Sequence, residues 1–206
     1  MILERISVGE FAANCYILAD GRGSPAMVID PGDDEAGIRR ILDKHKLVPE
    51  MVVNTHGHID HIGCDDKFAV PVYIHEDDAA MLENSCFNLS TLMSLSFTVK
   101  SAIKKLKEND LLRLGGLELE VIHTPGHTQG GMCLLMKKPD DKVLFTGDTL
   151  FAKGIGRADF PGADPEALIS SIKEKLFKLP DDTKIYPGHG ASSTIGEEKR
   201  ENPFLN

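Results

Sequence analysis

Residues 55–63 read THGHIDHIG, Thr55-His56-Gly57-His58-Ile59-Asp60-His61-Ile62-Gly63. Four side chains of metal-ligating type, His56, His58, Asp60 and His61, fall within six positions. An extended backbone sends alternate side chains to one side, so His56 and His58 can grip one ion together. Asp60 and His61 must then look elsewhere. If the chain turns into a helix after Ile59, these two side chains diverge from the first pair and can serve a second ion nearby. The competing reading is a solvated, histidine-rich loop, since histidine is common on polar surfaces. Two histidines alone would leave those readings evenly matched, whereas four ligand types packed this tightly favour the metal.

The flanking pattern places the cluster at a strand's carboxyl end. Met51 to Val53 form a short apolar run leading directly into it. Upstream, Ala26 to Ile29 end at Asp30-Pro31-Gly32, a strand breaking into a turn, and Ile38, Ile41 and Leu42 follow at helical spacing. Downstream, Val72 to Ile74 predict a third strand before an acidic helix start at Glu76-Asp77-Asp78. Leu117, Leu119 and Val121 alternate with Glu118 and Glu120, a strand with one wet face, which feeds HTPGHTQGG. Val143 to Phe145 enter TGDTLF. Asp164 and Pro165 then start a helix whose apolar stripe is Leu168, Ile169, Ile172, Leu176 and Leu179, stopped by Pro180. Lys184 to Tyr186 are the last strand before PGHG.

Each ion needs more ligands than residues 55–63 supply, and other strand ends offer them: His127 in TPGHTQG, Asp148 in TGDTLF and His189 in YPGHG. Each stands beside a glycine, which lets a backbone turn sharply and approach a metal closely. Taken singly, a His or Asp in a turn is usually there for hydrogen bonding. The joint pattern is what carries weight.

Bulk properties bound the alternatives. A chain of 206 residues with 41% hydrophobic residues can bury one substantial core, and no linker, repeat or low-complexity tract divides it, so residues 1–206 read as one domain. The N-terminal MILERISVGE lacks the apolar core of a signal peptide, and no run approaches membrane-spanning length, so a cytoplasmic protein without membrane partners is expected. Lys+Arg 23 against Asp+Glu 32 gives a net charge of −9, which disfavours nucleic acid and leaves a small molecule as the expected substrate. The four cysteines, Cys15, Cys64, Cys86 and Cys133, form no CxxC pair and read as reduced thiols.

THGHIDHIG, TPGHTQGG, FTGDTLF and YPGHG, in that order, resemble the successive motifs of the metallo-β-lactamase superfamily, and more closely its short glyoxalase II-like hydrolases. The resemblance extends to NCYIL and VIDPGD near the start and to GIGRADFPG at residues 154–162. It implies an α/β fold, the four-layer αββα sandwich, with a dinuclear site on the edge between two sheets. It also implies the ligand grouping: His56, His58 and His127 on one ion, Asp60, His61 and His189 on the other, and Asp148 bridging them beside a shared water. Asp60 and Asp148 are then the candidate catalytic carboxylates. A bridging Asp is closer to the glyoxalase II and lactonase branches than to the antibiotic-hydrolysing enzymes.

The expected activity is hydrolysis of small acyl thioesters or related esters by two divalent ions; histidine and carboxylate donors without thiolate suit Zn, Fe or Mn. Full-length glyoxalase II enzymes carry a C-terminal helical domain for glutathione, whereas here IGEEKRENPFLN follows YPGHG closely, so no strong glutathione preference is expected. A lactonase and a mono-iron persulfide dioxygenase, whose relatives share an HxHxDH-like motif and a GR-D-F segment, are the alternatives. Among neighbouring residues, Asp30 can orient a ligand, while Thr55, His123 and Tyr186 are merely close in sequence. Cys86 to Phe97 either line an apolar pocket or belong to the core. Arg157 can meet a substrate carboxylate, although a loop-fixing pair with Asp159 is favoured. Cys64 is expected to be a buried filler rather than a ligand.

Overall fold

The computed structural model describes residues 1–139 and 142–205. Two six-stranded sheets dominate it. The first runs in the order β1 (Ile2–Val8), β2 (Ala13–Ala19), β3 (Pro25–Ile29), β4 (Val48–Val53), β5 (Val72–His75) and β6 (Ile103–Leu106). The second begins in sequence with β7 (Leu111–Leu114), β8 (Leu117–His123), β9 (Met132–Lys138) and β10 (Val143–Gly147). A hairpin of β11 (Leu150–Phe151) and β12 (Gly154–Ile155) intervenes before β13 (Lys184–Pro187) and β14 (Ser193–Thr194) complete that sheet, in the order β14-β13-β10-β9-β8-β7.

The layering follows from side-chain alternation along strands that are buried on both faces. In β2, Tyr16 and Leu18 point into a central core, while Cys15, Ile17 and Ala19 point into a second one. Met27 and Ile29 of β3 join the former, Ala26 and Val28 the latter. The second sheet repeats the division. Met132, Leu134 and Met136 of β9 and Phe145 of β10 face the central core, whereas Cys133, Leu135 and Leu144 face a third cluster. A period of two thus feeds two cores from each sheet.

Helices seal the outer faces. α1 (Glu35–His45) starts at Asp34, whose carboxylate accepts the Gly37 N–H at 2.9 Å, and lays Ile38 and Leu42 on the first sheet. α2 (Ile59–Ile62) and α3 (Ala79–Leu82) cover the same side. α4 (Pro165–Glu174) has Pro165 in its first turn and Asp164 as cap, accepting from the Glu166 and Ala167 N–H groups, and α5 (Ile195–Glu201) opens with a Thr194–Glu197 capping box. Leu168, Ile172 and Ile195 fill the third cluster. The αββα order expected from the resemblance is what the chain adopts.

The expected strands and helices are all present, with two differences. The stripe from Leu168 to Leu179 is not one helix: α4 stops at Glu174, and a 3₁₀ turn covers Leu176–Lys178. Pro180 forces its predecessor out of the helical region, and Leu179 accordingly has φ −70° and ψ 157°. The acidic run Glu76-Asp77-Asp78 precedes only the single turn of α3, and Asp78 makes no cap there. Among the described residues no helix is long and apolar enough to cross a membrane.

Candidate metal centre

Strands β3 and β4 run parallel in one sheet; β8, β10 and β13 share a direction in the other, since β8 and β10 both oppose β9 and β10 parallels β13. Their carboxyl ends deliver Asp30, His56, the loop to His127, Asp148 and His189. The backbone becomes helical at Ile59, so Asp60 and His61 leave α2 on a different course from His56 and His58, as the spacing predicts.

Two triads result. His56, His58 and His127 bring one ligand atom each to within 4.8 Å of one another, and so do Asp60, His61 and His189. In the first, His58 Nδ1 lies 2.9 Å from His127 Nε2. In the second, His189 Nε2 is 3.3 Å from both His61 Nε2 and Asp60 Oδ2. Asp148 stands between them: its Oδ2 is 3.6 Å from His127 Nε2 and from His189 Nε2, and its Oδ1 is 3.5 Å from His61 Nε2. Donors bound at about 2.1 Å in a tetrahedron stand about 3.4 Å apart, so these separations suit ligands that share an ion.

Three of the remaining ring nitrogens face oxygen atoms, which helps aim the other nitrogen of each ring inward. His127 Nδ1 faces the Arg157 carbonyl at 2.6 Å, His189 Nδ1 the Phe11 carbonyl at 3.0 Å, and His61 Nδ1 the Asp30 Oδ2 at 3.1 Å. Asp30 adopts φ +51° and accepts the Thr55 N–H and hydroxyl, both at 2.7 Å, so it orients His61 as expected and locks the strand end ahead of His56. Two close approaches explain their glycines. A Cβ on Gly188 would fall 2.1 Å from Asp148 Oδ1, and one on Gly147, whose φ is +46°, would fall 2.6 Å from the Thr55 Cβ.

Charge and burial divide the cluster. Burial, then the neighbouring imidazoles, push His56 far below the usual histidine range and His58 down to about 3. Both are therefore neutral imidazoles with lone pairs to give. Burial alone would lower His61, but Asp148, Asp60 and Asp30 carry it up to about 10. Burial would raise Asp60, yet His61 and His189 hold its carboxyl well below the usual range. A metal pair fits this set on two further grounds: His56 Nε2 and Asp148 Oδ1 are buried without a hydrogen-bond partner among the described residues, an arrangement a cation between them would relieve.

Several other residues take structural places. His123 stacks on His75, rings 3.9 Å apart and 12° from parallel, with Nε2 at 2.9 Å from the Gln129 carbonyl. Tyr186 packs edge-on against Tyr16 beside the central core. Arg157 forms a bidentate pair with Asp159, both contacts 2.9 Å, and lies over the Phe160 ring. Cys64 is buried in the first sheet's outer cluster, where burial pushes its thiol up to about 11. Part of the 86–97 segment, Leu89, Leu92 and Met93, lines a cleft of about 410 Å³ that opens onto His58, Asp60, His127, Asp148 and His189.

Two further supports hold these loops in ways that spacing does not reveal. Asp78 is wholly buried, its carboxylate accepting the Gly57 N–H at 3.2 Å, the Thr128 hydroxyl at 2.7 Å and the Gly130 N–H at 2.6 Å, so it clamps the loop of His56 and His58 to that of His127. Asn14 and Tyr16, inside NCYIL, hold the Pro187 carbonyl ahead of His189 at 2.9 and 2.7 Å.

Comparison with known proteins agrees with this fold. The hydroxyacylglutathione hydrolase GloC of Haemophilus influenzae is 37% identical over 213 residues, covering all of this chain and 99% of that protein. The crystal structure of BLEG-1 B3 metallo-beta-lactamase superposes with a TM-score of 0.90 at 35% identity, over the whole of both chains. That of TTHA1623 in a di-iron-bound form gives 0.83 at 34% identity, over 98% of this chain and 100% of the other. The family model of the metallo-beta-lactamase superfamily matches residues 8–189, and the chain belongs to that superfamily.

Proposed function

We propose that the protein is a dinuclear metal-dependent hydrolase of small acyl thioesters and related esters, similar in reaction to the glyoxalase II branch. The observation that carries this reading is the position of Asp148, one carboxylate reaching both triads at 3.5–3.6 Å. His56, His58 and His127 would hold one ion, Asp60, His61 and His189 the other, with Asp148 between them. Bound there, such a pair would supply a hydroxide at neutral pH, by lowering a water's pKa from near 16 towards roughly 7, and a Lewis acid for the carbonyl oxygen.

The chain's own residues do the rest. Asp148 sets the spacing of the two triads and, with Asp60, lines the cleft where the nucleophile and carbonyl meet. Asp30, the Arg157 carbonyl and the Phe11 carbonyl keep three imidazoles turned inward, so little reorganisation is needed at the moment of reaction. Arg157 is engaged by Asp159, which leaves carboxylate recognition to other groups. Zinc, iron and manganese all suit the donors, and the relative solved with two irons keeps iron among them.

The test is a parallel assay of the metal-loaded enzyme on S-lactoylglutathione, a simple N-acetylcysteamine thioester, a homoserine lactone, a β-lactam and glutathione persulfide, with oxygen uptake followed for the last. Thioester cleavage is expected. Oxygen consumption with persulfide and no thioester cleavage would overturn the hydrolase reading.

A further inference from the structure

The cleft above the triads carries apolar side chains around its ionisable floor. Phe11, Phe151 and Phe160 form one part of its wall and Leu89, Leu92 and Met93 the other. Several of these side chains stand in water at a cost: Leu92 is 76% exposed, Phe11 55% and Met93 39%. Single exposed apolar residues are ordinary, but a contiguous set rimming a cleft marks a binding surface.

The turn that carries Leu92 and Met93 is a built feature. Leu89 and Ser94, at its two ends, have φ +65° and +58°, a region that side chains other than glycine rarely adopt. Surrounding bonds over-determine it. The Asn88 side chain, fully buried, donates to the Met81 and Phe97 carbonyls at 3.0 Å each and accepts the Ser90 N–H at 3.0 Å. The Ser90 hydroxyl accepts the Phe97 N–H at 3.2 Å. The Asn88 carbonyl accepts the Ile59 N–H at 2.9 Å, which fastens the turn directly to the segment bearing Asp60 and His61. Backbone strain held this firmly beside a reactive site is the mark of a ligand clamp.

Charge narrows the ligand. Arg157 is the one cationic side chain among the described residues lining the cleft, and it is paired with Asp159 and stacked on Phe160. Apart from the histidines and the ions they would hold at its floor, no other side chain lining the cleft is placed to neutralise phosphates or several carboxylates. We infer that the Leu89, Leu92 and Met93 turn, facing Phe11, Phe151 and Phe160, is a recognition wall for the linear apolar acyl group of the substrate, which selects uncharged medium-chain acyl thioesters over polyanionic conjugates. This rests on the hydrolase reading of the same site and specifies its substrate class.

A fully buried methylene strengthens binding about 4-fold, and a half-buried one about 2-fold. Four added methylenes against a half-open wall therefore raise kcat/KM about 15-fold. The experiment compares acetyl- and hexanoyl-N-acetylcysteamine on the metal-loaded enzyme, in the wild type and in the Leu92→Ser/Met93→Ser double variant, with folding checked by thermal melting. The wild-type hexanoyl-to-acetyl ratio should be at least about tenfold, and the double variant should compress it by a factor of about five or more. A ratio near one in the wild type, or a ratio that the substitutions leave unchanged, overturns the inference. Binding of the corresponding S-hexyl and S-ethyl thioethers, measured by calorimetry, separates the two readings. Preference for the hexyl thioether without hydrolysis of either thioester would leave the wall standing and sink the hydrolase, whereas brisk hydrolysis with no chain-length preference in either assay would do the reverse.

Discussion

Replacing Asp78 should weaken the metal centre although Asp78 touches no metal ligand's side chain. Its carboxylate is buried and receives the Gly57 N–H, the Thr128 hydroxyl and the Gly130 N–H at 3.2, 2.7 and 2.6 Å. Burial raises its carboxyl above the usual range, against the opposing pull of those donors. In Asp78→Ala all lose their acceptor; at about 1–3 kcal/mol for each stranded buried donor, with shared relaxation, the loss comes to about 3–5 kcal/mol. Asp78→Asn keeps the shape and one acceptor oxygen, but its amide must face a donor, so about 1–3 kcal/mol is expected. Because Gly57 sits between His56 and His58, and Thr128 follows His127, the loops that bring one triad together should drift apart. Metal affinity should then fall by about 10–100-fold. Urea melts give the stability and competition with a chromophoric chelator gives the affinity, both at a temperature where every variant is folded. An Asp78→Asn protein with wild-type affinity and wild-type stability would refute the reasoning.

The remaining predictions concern the ions, the bridge and one surface cluster. Purified protein should carry two metal ions per chain by elemental analysis, and stripping them should lower Tm as well as activity, since the carboxylates lose their counter-charge and the buried imidazoles the ion they bind. Asp148→Ala should reduce kcat by a factor of about 10² or more while stability changes much less, because its carboxylate reaches both triads at 3.5–3.6 Å; near-normal turnover with both metals bound would rule it out as the bridge. Glu4 is held below its ordinary 4.5 by the Lys44 ammonium, 2.7 Å away, and by His45. A depressed carboxyl contributes stability that is complete above the unfolded value and lost as pH falls through the folded one. Glu4→Gln should therefore cost less than about 1 kcal/mol at pH 7, with the difference from wild type closing as the pH drops below 4.5.

The centre was unusually legible because much of its information is local. His56 to His61 lie within six positions, and alternation followed by a helix start is enough to send them to two places. His127, Asp148 and His189 are remote in sequence, yet each lies within four residues of a strand's end, so the strand-end argument pointed to them without any distance. Those strands meet because they share a direction in the second sheet, and that no pattern in the chain could specify: alternation or an apolar run marks a strand, and only pairing decides which end faces the site. β1, β2, β6, β7, β9 and β14 were equally silent. β2 is buried on both faces and β9 on both over most of its length, so they lack the alternation that marks a strand with one wet face.

Asp78 and Asn88 show what a sequence hides when a residue already has a local explanation. An aspartate before Ala79 reads as a helix cap, the commonest reason for it to be there, and that sufficient account left no residue to explain. The structure spends its carboxylate elsewhere, on a loop 21 residues before it at Gly57 and on another 50 residues after it at Thr128. Asn88 sits in a stretch of Leu, Met and Phe mixed with Ser and Thr that reads equally as pocket or core, and its side chain closes one loop while its carbonyl holds the segment bearing the metal ligands. In both cases one buried polar group joins chemistry to a wall or to a neighbouring loop. Such joints carry the coupling in this site: a substitution at Asn88 would reach the metals through Ile59 and the cleft through Leu89, so binding and turnover should fail together there, whereas at Leu92, which is exposed and has no such link, selectivity should fail first.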